Sequence, residues 1–213
     1  QRGIDKTINE IYRSGKDKLA ERMEKAVQTI GKNKLDRGSN WSDKITNGVN
    51  PSVGKALRDW YRDPAGWKGI CNHDTRSHMA EDLHRYLFCA CFGKEYKSGE
   101  KFTPKVIDFP KSLAPDHVNW ESGHFVDRFR VQNGSRVATT ITSHISKDGH
   151  YFIHYDPYQC RSFTVREAAR VQTFPDNYFF VGNRTQQYTQ VGNAVPPFLA
   201  KKIAQIVESV IRE

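Results

Sequence analysis

Arg161-Ser-Phe-Thr-Val-Arg-Glu-Ala-Ala-Arg-Val-Gln-Thr-Phe-Pro-Asp176 is the stretch from which the rest of this 213-residue chain can be read. Thr164-Val-Arg-Glu167 has the form of a capping box, in which the threonine hydroxyl satisfies a free backbone donor and Glu167 reaches back to the cap. The helix that follows, over residues 165–172, offers Ala168, Ala169 and Val171 for close packing, and Phe174-Pro175-Asp176 closes it. Arg166, Glu167 and Arg170 are expected to cap, pair and brace this helix; the alternative is that one arginine meets a phosphate. Further on, Gln190-Val-Gly-Asn-Ala-Val-Pro-Pro197 puts a glycine and an amide at the entrance to a proline-started helix. That helix carries a stripe of Leu199, Ile203, Ile206, Val207 and Val210, which needs a partner surface.

Together, and at this spacing, the two blocks resemble the last two conserved motifs of DNA (cytosine-5) methyltransferases. The likeness is strong over residues 136–212. It implies that Asn193, Ala194 and Val195 form part of the wall of an S-adenosylmethionine pocket. It also implies that Thr140, in Thr139-Thr-Ile-Thr-Ser143, contacts the DNA backbone beside a flipped cytosine, with Arg136, Ser143, His144 and Lys147 as further DNA-binding candidates. Taken alone, the same residues fit a plain turn before a helix and the exposed face of a β-hairpin.

The family attacks cytosine with a cysteine in a Pro-Cys-Gln loop, yet none of the nine prolines here is followed by cysteine. No two glycines are separated by a single residue, so there is no G-x-G turn, and there is no Glu-Asn-Val. Of the family's Gln-x-Arg-x-Arg motif only Arg128-Phe-Arg130 is present in part. The resemblance therefore implies no catalytic residue in this chain and none of the cofactor-binding Rossmann-like domain, both of which lie N-terminal in the family. The chain is expected to be inactive alone, and to be either a fragment of a longer polypeptide or one subunit of a split enzyme. Its start at Gln1 favours the fragment.

Working outward, 33 Lys and Arg against 24 Asp and Glu give a charge of +9, which favours a phosphate-bearing partner such as double-stranded DNA. Residues 1–70 hold 15 basic and 9 acidic side chains, an excess that a solvated helix face explains equally well. Residues 4–30 repeat apolar positions at helical spacing with Gly15 as a break. Asn50-Pro51 starts a helix bearing Val53, Leu57, Trp60 and Tyr61, ended at Asp63-Pro64. A third helix starts near residues 75–77 and stops at Gly93. Residues 136–144 and 150–154 read as two strands of a hairpin around Lys147-Asp148-Gly149.

The expected fold is mixed α/β, or α+β in isolation. It comprises a helix-rich target-recognition region (1–135), a β-hairpin linking it to the core (136–160) and the C-terminal motifs (161–213), whose helices normally pack on the missing domain. Self-association of the fragment is compatible with that exposed stripe. Cys71, Cys89, Cys91 and Cys160 form no CxxC pair and read as reduced, mostly buried thiols of a cytoplasmic protein. No apolar run reaches membrane-spanning length. Two other functions fit some of these features: a non-enzymatic DNA-binding module, and a metal nuclease built on His73, His78 and His84. The five-residue step from His73 to His78 argues against a metal site on one helix face.

Overall fold

The computed structural model describes residues 2–33, 37–43, 53–61, 69–96, 102–116, 120 and 128–212. These fall into two compact units, each built from separated pieces of chain. The first draws on residues 1–36, 77–139 and 148–162, and the second on 37–76, 140–147 and 163–213.

In the first unit, helices α1 (Arg2–Arg13) and α2 (Asp17–Asn33) are separated at Gly15, whose φ of +74° suits a residue without a Cβ. The helical periodicity puts Ile4, Ile8, Ile11, Leu19 and Met23 in the core, as expected. They pack with the long helix of this unit (Ala80–Glu95), in which every residue from Tyr86 to Phe92 is buried. A helix apolar on nearly all sides belongs inside. This helix starts later than its sequence suggests, because Met79 is still extended, and it runs through Gly93. There the bare Cα faces the Phe102 carbonyl, which a Cβ would approach to 2.8 Å. Gly93 serves close packing and does not stop the helix.

The four cysteines are free and buried. Burial pushes the Cys91 and Cys160 thiols up to about 12 and the Cys89 thiol well above its usual range.

The expected hairpin at 136–160 does not form. Residues 150–153 pair instead with 130–132, through Arg130 N to His150 O (2.7 Å), Ile153 N to Arg130 O (2.9 Å) and Gln132 N to Ile153 O (2.8 Å). Ile153 also bridges to Ser162. The Gln132 carboxamide occupies Thr139, accepting its N–H (3.1 Å) and donating to its hydroxyl (2.9 Å). A side chain thus takes the place of the partner strand, and Ser143–Ser146 and His150–Phe152 wind into single 3₁₀ turns. Among the described residues the regular sheet is elsewhere, in the second unit, where β1 (Trp41–Ser42) and β2 (Ile70–Cys71) pair antiparallel with Trp41 opposite Cys71. That pairing gives the α+β character.

With α3 (Lys55–Tyr61) counted in chain order, the helix Ala80–Glu95 is α4. The second unit also holds α5 (Val165–Val171), α6 (Arg184–Asn193) and α7 (Pro197–Arg212). The proposed start of α3 at Asn50-Pro51 and its end at Asp63-Pro64 lie outside the described residues. No helix among the described residues is long and apolar enough to cross a membrane.

Two measurements test this packing. Gly15→Ala forces a side chain into the left-handed region and should cost about 1 kcal/mol, whereas Gly31→Ala, in open space on α2, should add roughly 0.5–1 kcal/mol; urea midpoints should move in opposite directions. His150 accepts or donates at Nδ1 to the Tyr86 hydroxyl (2.9 Å), and burial lowers its pKa below 6.5 against the opposing pull of Asp148 and Asp82. The unfolded chain therefore takes up the proton first as pH falls. Stability should decline in the window below about 6.5 and level off beneath the folded value. His150→Gln should flatten part of this slope in urea titrations, the remainder belonging to His84, whose pKa burial also lowers.

Candidate DNA- and cofactor-facing site

The site is built around α5. Thr164 caps the helix as its sequence requires: its hydroxyl accepts from Glu167 N (3.2 Å), and Glu167 Oε2 accepts from Thr164 N (2.8 Å). His73 Nδ1 lies 2.9 Å from the same hydroxyl. Arg166 turns inward and is almost wholly buried, at 1% exposure. Its guanidinium donates to Cys71 O (3.0 Å), Pro175 O (3.1 Å), Cys71 Sγ (2.8 Å) and Tyr178 O. Burial lowers its pKa, and the carbonyl dipoles hold the charge in place. Arg170 donates through Nε and Nη2 to the two Asp176 oxygens at 2.7 and 2.8 Å. Burial works against its charge, but Asp176 outweighs it and raises the pKa. Both arginines therefore brace the fold, as the sequence reading favoured.

Asn72, at φ +55°, completes the frame. Its side-chain amide donates to Phe180 O (3.1 Å) and its side-chain oxygen accepts from Phe180 N (3.0 Å). Thr173, at φ +61°, receives the indole N–H of Trp60 on its carbonyl (2.7 Å) and the N–H of Phe198 on its hydroxyl (3.1 Å). The start of α7 is thereby tied to the end of α5.

Sequence reasoning missed Gln172. Buried at the C-terminus of α5, its amide Nε2 donates to Ile141 O (3.4 Å), Val191 O (3.2 Å) and Ala194 O (3.4 Å). One carboxamide thus holds the segment bearing Thr140 and the segment bearing Asn193, Ala194 and Val195. Gly192 brings the same two segments into contact, since a Cβ there would come 2.8 Å from Thr142 O and 2.9 Å from Ser143 Cα. The hidden signal was the glutamine itself, a polar residue one turn after the buried Ala168 and Ala169 of α5.

Gly192-Asn193 is the last turn of α6, which starts at its own capping box between Asn183 and Gln186, and the chain becomes extended at Ala194. α6 carries the 143–146 turn: Arg76 donates to Ile145 O and stacks 3.9 Å over the Tyr188 ring, whose hydroxyl donates to Phe163 O (2.6 Å). With Ile141 and Ile145 buried, Thr140, Ser143, His144 and Lys147 are left exposed in this unit. Asn193 and Val195 are exposed and Ala194 is half-buried. Arg136, also exposed, belongs to the first unit, with its guanidinium 5.1 Å from the Phe102 ring.

His73 lies in the second unit and His78 and His84 in the first. Among the described residues no three His, Cys, Asp or Glu side chains converge as a metal would require. The outward face of α7 leaves Leu199, Ile203, Ile206, Val207 and Val210 about half exposed or more.

A family model for C-5 cytosine-specific DNA methylases matches residues 4–209. The chain belongs to that family. The type II methyltransferase M.Bpa9945I of Bacillus paralicheniformis is 47% identical over 146 residues, covering 67% of this chain and 30% of that protein. M.AgeI of Thalassovita gelatinovora, also a type II methyltransferase, is 34% identical over 176 residues, 83% of this chain and 36% of its own length. The putative type II methyltransferase M.OihORF3336P of Oceanobacillus iheyensis is 30% identical over 79% of this chain and 35% of its own. The chain spans about a third of the length of these relatives.

Arg166→Met should cost about 3–5 kcal/mol in urea unfolding, because it strands the buried Cys71 carbonyl and the part-buried carbonyls of Pro175 and Tyr178. Arg166→Lys should recover less than half, since an ammonium cannot reproduce the planar fork.

Proposed function

We propose that this chain is the DNA-recognition and pocket-closing part of a DNA (cytosine-5) methyltransferase acting on double-stranded DNA. The observation that carries the reading is the joint hold of Gln172 and Gly192 on the Thr140–Ser143 and Val191–Val195 segments. A DNA-contacting segment and a cofactor-contacting segment must be fixed relative to one another if a methyl group is to meet a flipped base, and here one buried amide bonds to both.

Thr140, Ser143, His144 and Lys147 would meet the DNA backbone, with Arg136 adding charge. Asn193, Ala194 and Val195 fit one wall of an S-adenosylmethionine pocket: an exposed amide and an exposed aliphatic side chain flank the Ala194 carbonyl, which accepts from Gln172 (3.4 Å). When bound, that cofactor supplies the methyl group for C5 of cytosine. The thiolate that activates C5 by adding to C6 comes from outside this chain, carried by a catalytic domain in cis or on a second subunit. The apolar face of α7 supports such a domain as its cover, and without it self-association follows. Free, buried thiols accord with a cytoplasmic setting.

The test is complementation. The chain alone should transfer no labelled methyl group, and a matched protein supplying the glycine-rich turn and Pro-Cys-Gln loop should restore transfer. In that assembly Asn193→Ala should raise KM for S-adenosylmethionine about tenfold, the worth of one hydrogen bond of ~1.4 kcal/mol, with kcat little changed. Gln172→Glu, which turns a donor into an acceptor facing three carbonyls, should impair cofactor and DNA binding together. A folded, matched pair that transfers no methyl group sinks the reading. DNA binding that is steeply salt-dependent yet indifferent to both cofactor and partner would instead indicate a binding module.

A further inference from the structure

In the second unit the segment Asp74-Thr-Arg76 is tied to α6 at its root. Arg184, the first residue of α6, donates to the Asp74 carbonyl and to Asp74 Oδ2, while Thr75 N donates to Arg37 O (2.8 Å). Four residues further along the same helix face, the buried Tyr188 ring receives the Arg76 guanidinium at 3.9 Å. The other end of that guanidinium donates through Nη2 to Ile145 O. This carbonyl belongs to the Ser143–Ser146 3₁₀ turn, and so short a helix leaves its last carbonyls without partners of its own. Arg76 thus reaches from α6 to the turn on which Ser143, His144 and Lys147 stand exposed.

Its surroundings differ from those of Arg166. Arg166 places its donors on four acceptor atoms, whereas the buried Nε of Arg76 has no partner. Buried Asp74 Oδ1 and Gln187 Oε1 have none either, so the unpaired buried side-chain atoms found among the described residues all lie on this segment or on α6 next to Tyr188. A partly desolvated guanidinium with an unpaired N–H is a poor source of stability, because that group has given up water without replacing it. What the contact does fix is the place of the turn. A planar fork seated on an aromatic ring leaves its acceptor little room to shift.

We propose that Arg76 is a positioning residue for DNA binding: without touching DNA itself, it sets the 143–147 segment so that Lys147 and its neighbours meet the phosphate backbone. The proposal rests on the DNA-recognition reading above and adds to it the residue that places the contact.

The full chain is titrated with a labelled duplex by fluorescence anisotropy over a range of salt, and the melting temperature of each variant is measured alongside. Arg76→Met, which keeps apolar bulk over Tyr188 and removes the donor, should weaken the duplex about tenfold while the melting temperature stays unchanged or rises. Arg76→Lys, whose ammonium can still lie over the ring and donate, should recover most of the affinity. A double-variant cycle separates positioning from contact. Lys147→Ala should weaken the original chain about tenfold and lower its salt slope by about one, but weaken the Arg76→Met chain less than about twofold, because there the contact is already lost. Independent, multiplying losses would make Arg76 a DNA contact in its own right and overturn the proposal. A melting temperature lowered by several degrees in Arg76→Met also overturns it, since the residue then supports the fold at large, as does Lys147→Ala without effect, which leaves no contact to place. If Lys147→Ala weakens the duplex and Arg76→Met does not, the role of Arg76 falls and the functional reading stands. Absence of any DNA binding overturns both.

Discussion

The buried guanidinium of Arg166 is the constraint on which the second unit depends. Taking a full charge out of water costs several kcal/mol, and the cost is offset only where each N–H finds an acceptor in good geometry. Here the acceptors are the carbonyls of Cys71, Pro175 and Tyr178 and the sulfur of Cys71. They belong to two stretches of chain far apart in sequence: β2, and the turn over residues 175–178 that follows α5 and is closed by Tyr178 N to Pro175 O (3.1 Å). Neither has enough regular pairing to hold itself in place, since the sheet is only two residues deep. One rigid fork converts them into a frame, and the Asn72 carboxamide continues it by pairing with both backbone groups of Phe180.

The same device recurs where function is expected. Irregular backbone at a binding surface leaves polar groups that sheets and helices would otherwise satisfy. In one unit Gln132 satisfies Thr139, and in the other Gln172 satisfies Ile141, Val191 and Ala194. Buried side-chain amides thus stand in for neighbouring strands. The segments they hold remain exposed on their outer side, leaving Thr140, Ser143 and Asn193 open to solvent while the backbone beneath them is fixed. Such surfaces can vary in sequence on the outside without loss of the support inside.

Much of this was legible beforehand, and the reasons are local. The Thr164 to Glu167 capping box, the break at Gly15, the inward stripe of α1 and α2 and the outward stripe of α7 all rest on interactions within one or two helical turns, so spacing alone exposes them. The bracing roles of Arg166 and Arg170 followed from the base rate of helix-end pairs. The actual partners of Arg166 in β2 lie 95 residues away and could not be read. The hairpin failed for the complementary reason: alternating threonines report a half-exposed extended chain but not what it pairs with, and a glutamine side chain competed successfully with a strand.

The sequence by itself determined the family, most of the helices though not α6, and the apolar faces of α1, α2 and α7, because capping, periodicity and motif spacing are properties of neighbouring residues. The tertiary structure alone decided which separated segments share a compact unit, that Gln172 and Gly192 bind the Thr140 segment to the end of α6 at Asn193, and that Gly93 and Gly134 mark close approaches. Those outcomes depend on hydrogen bonds and contacts between residues far apart in the chain, whose geometry exists only once the backbone has closed around them.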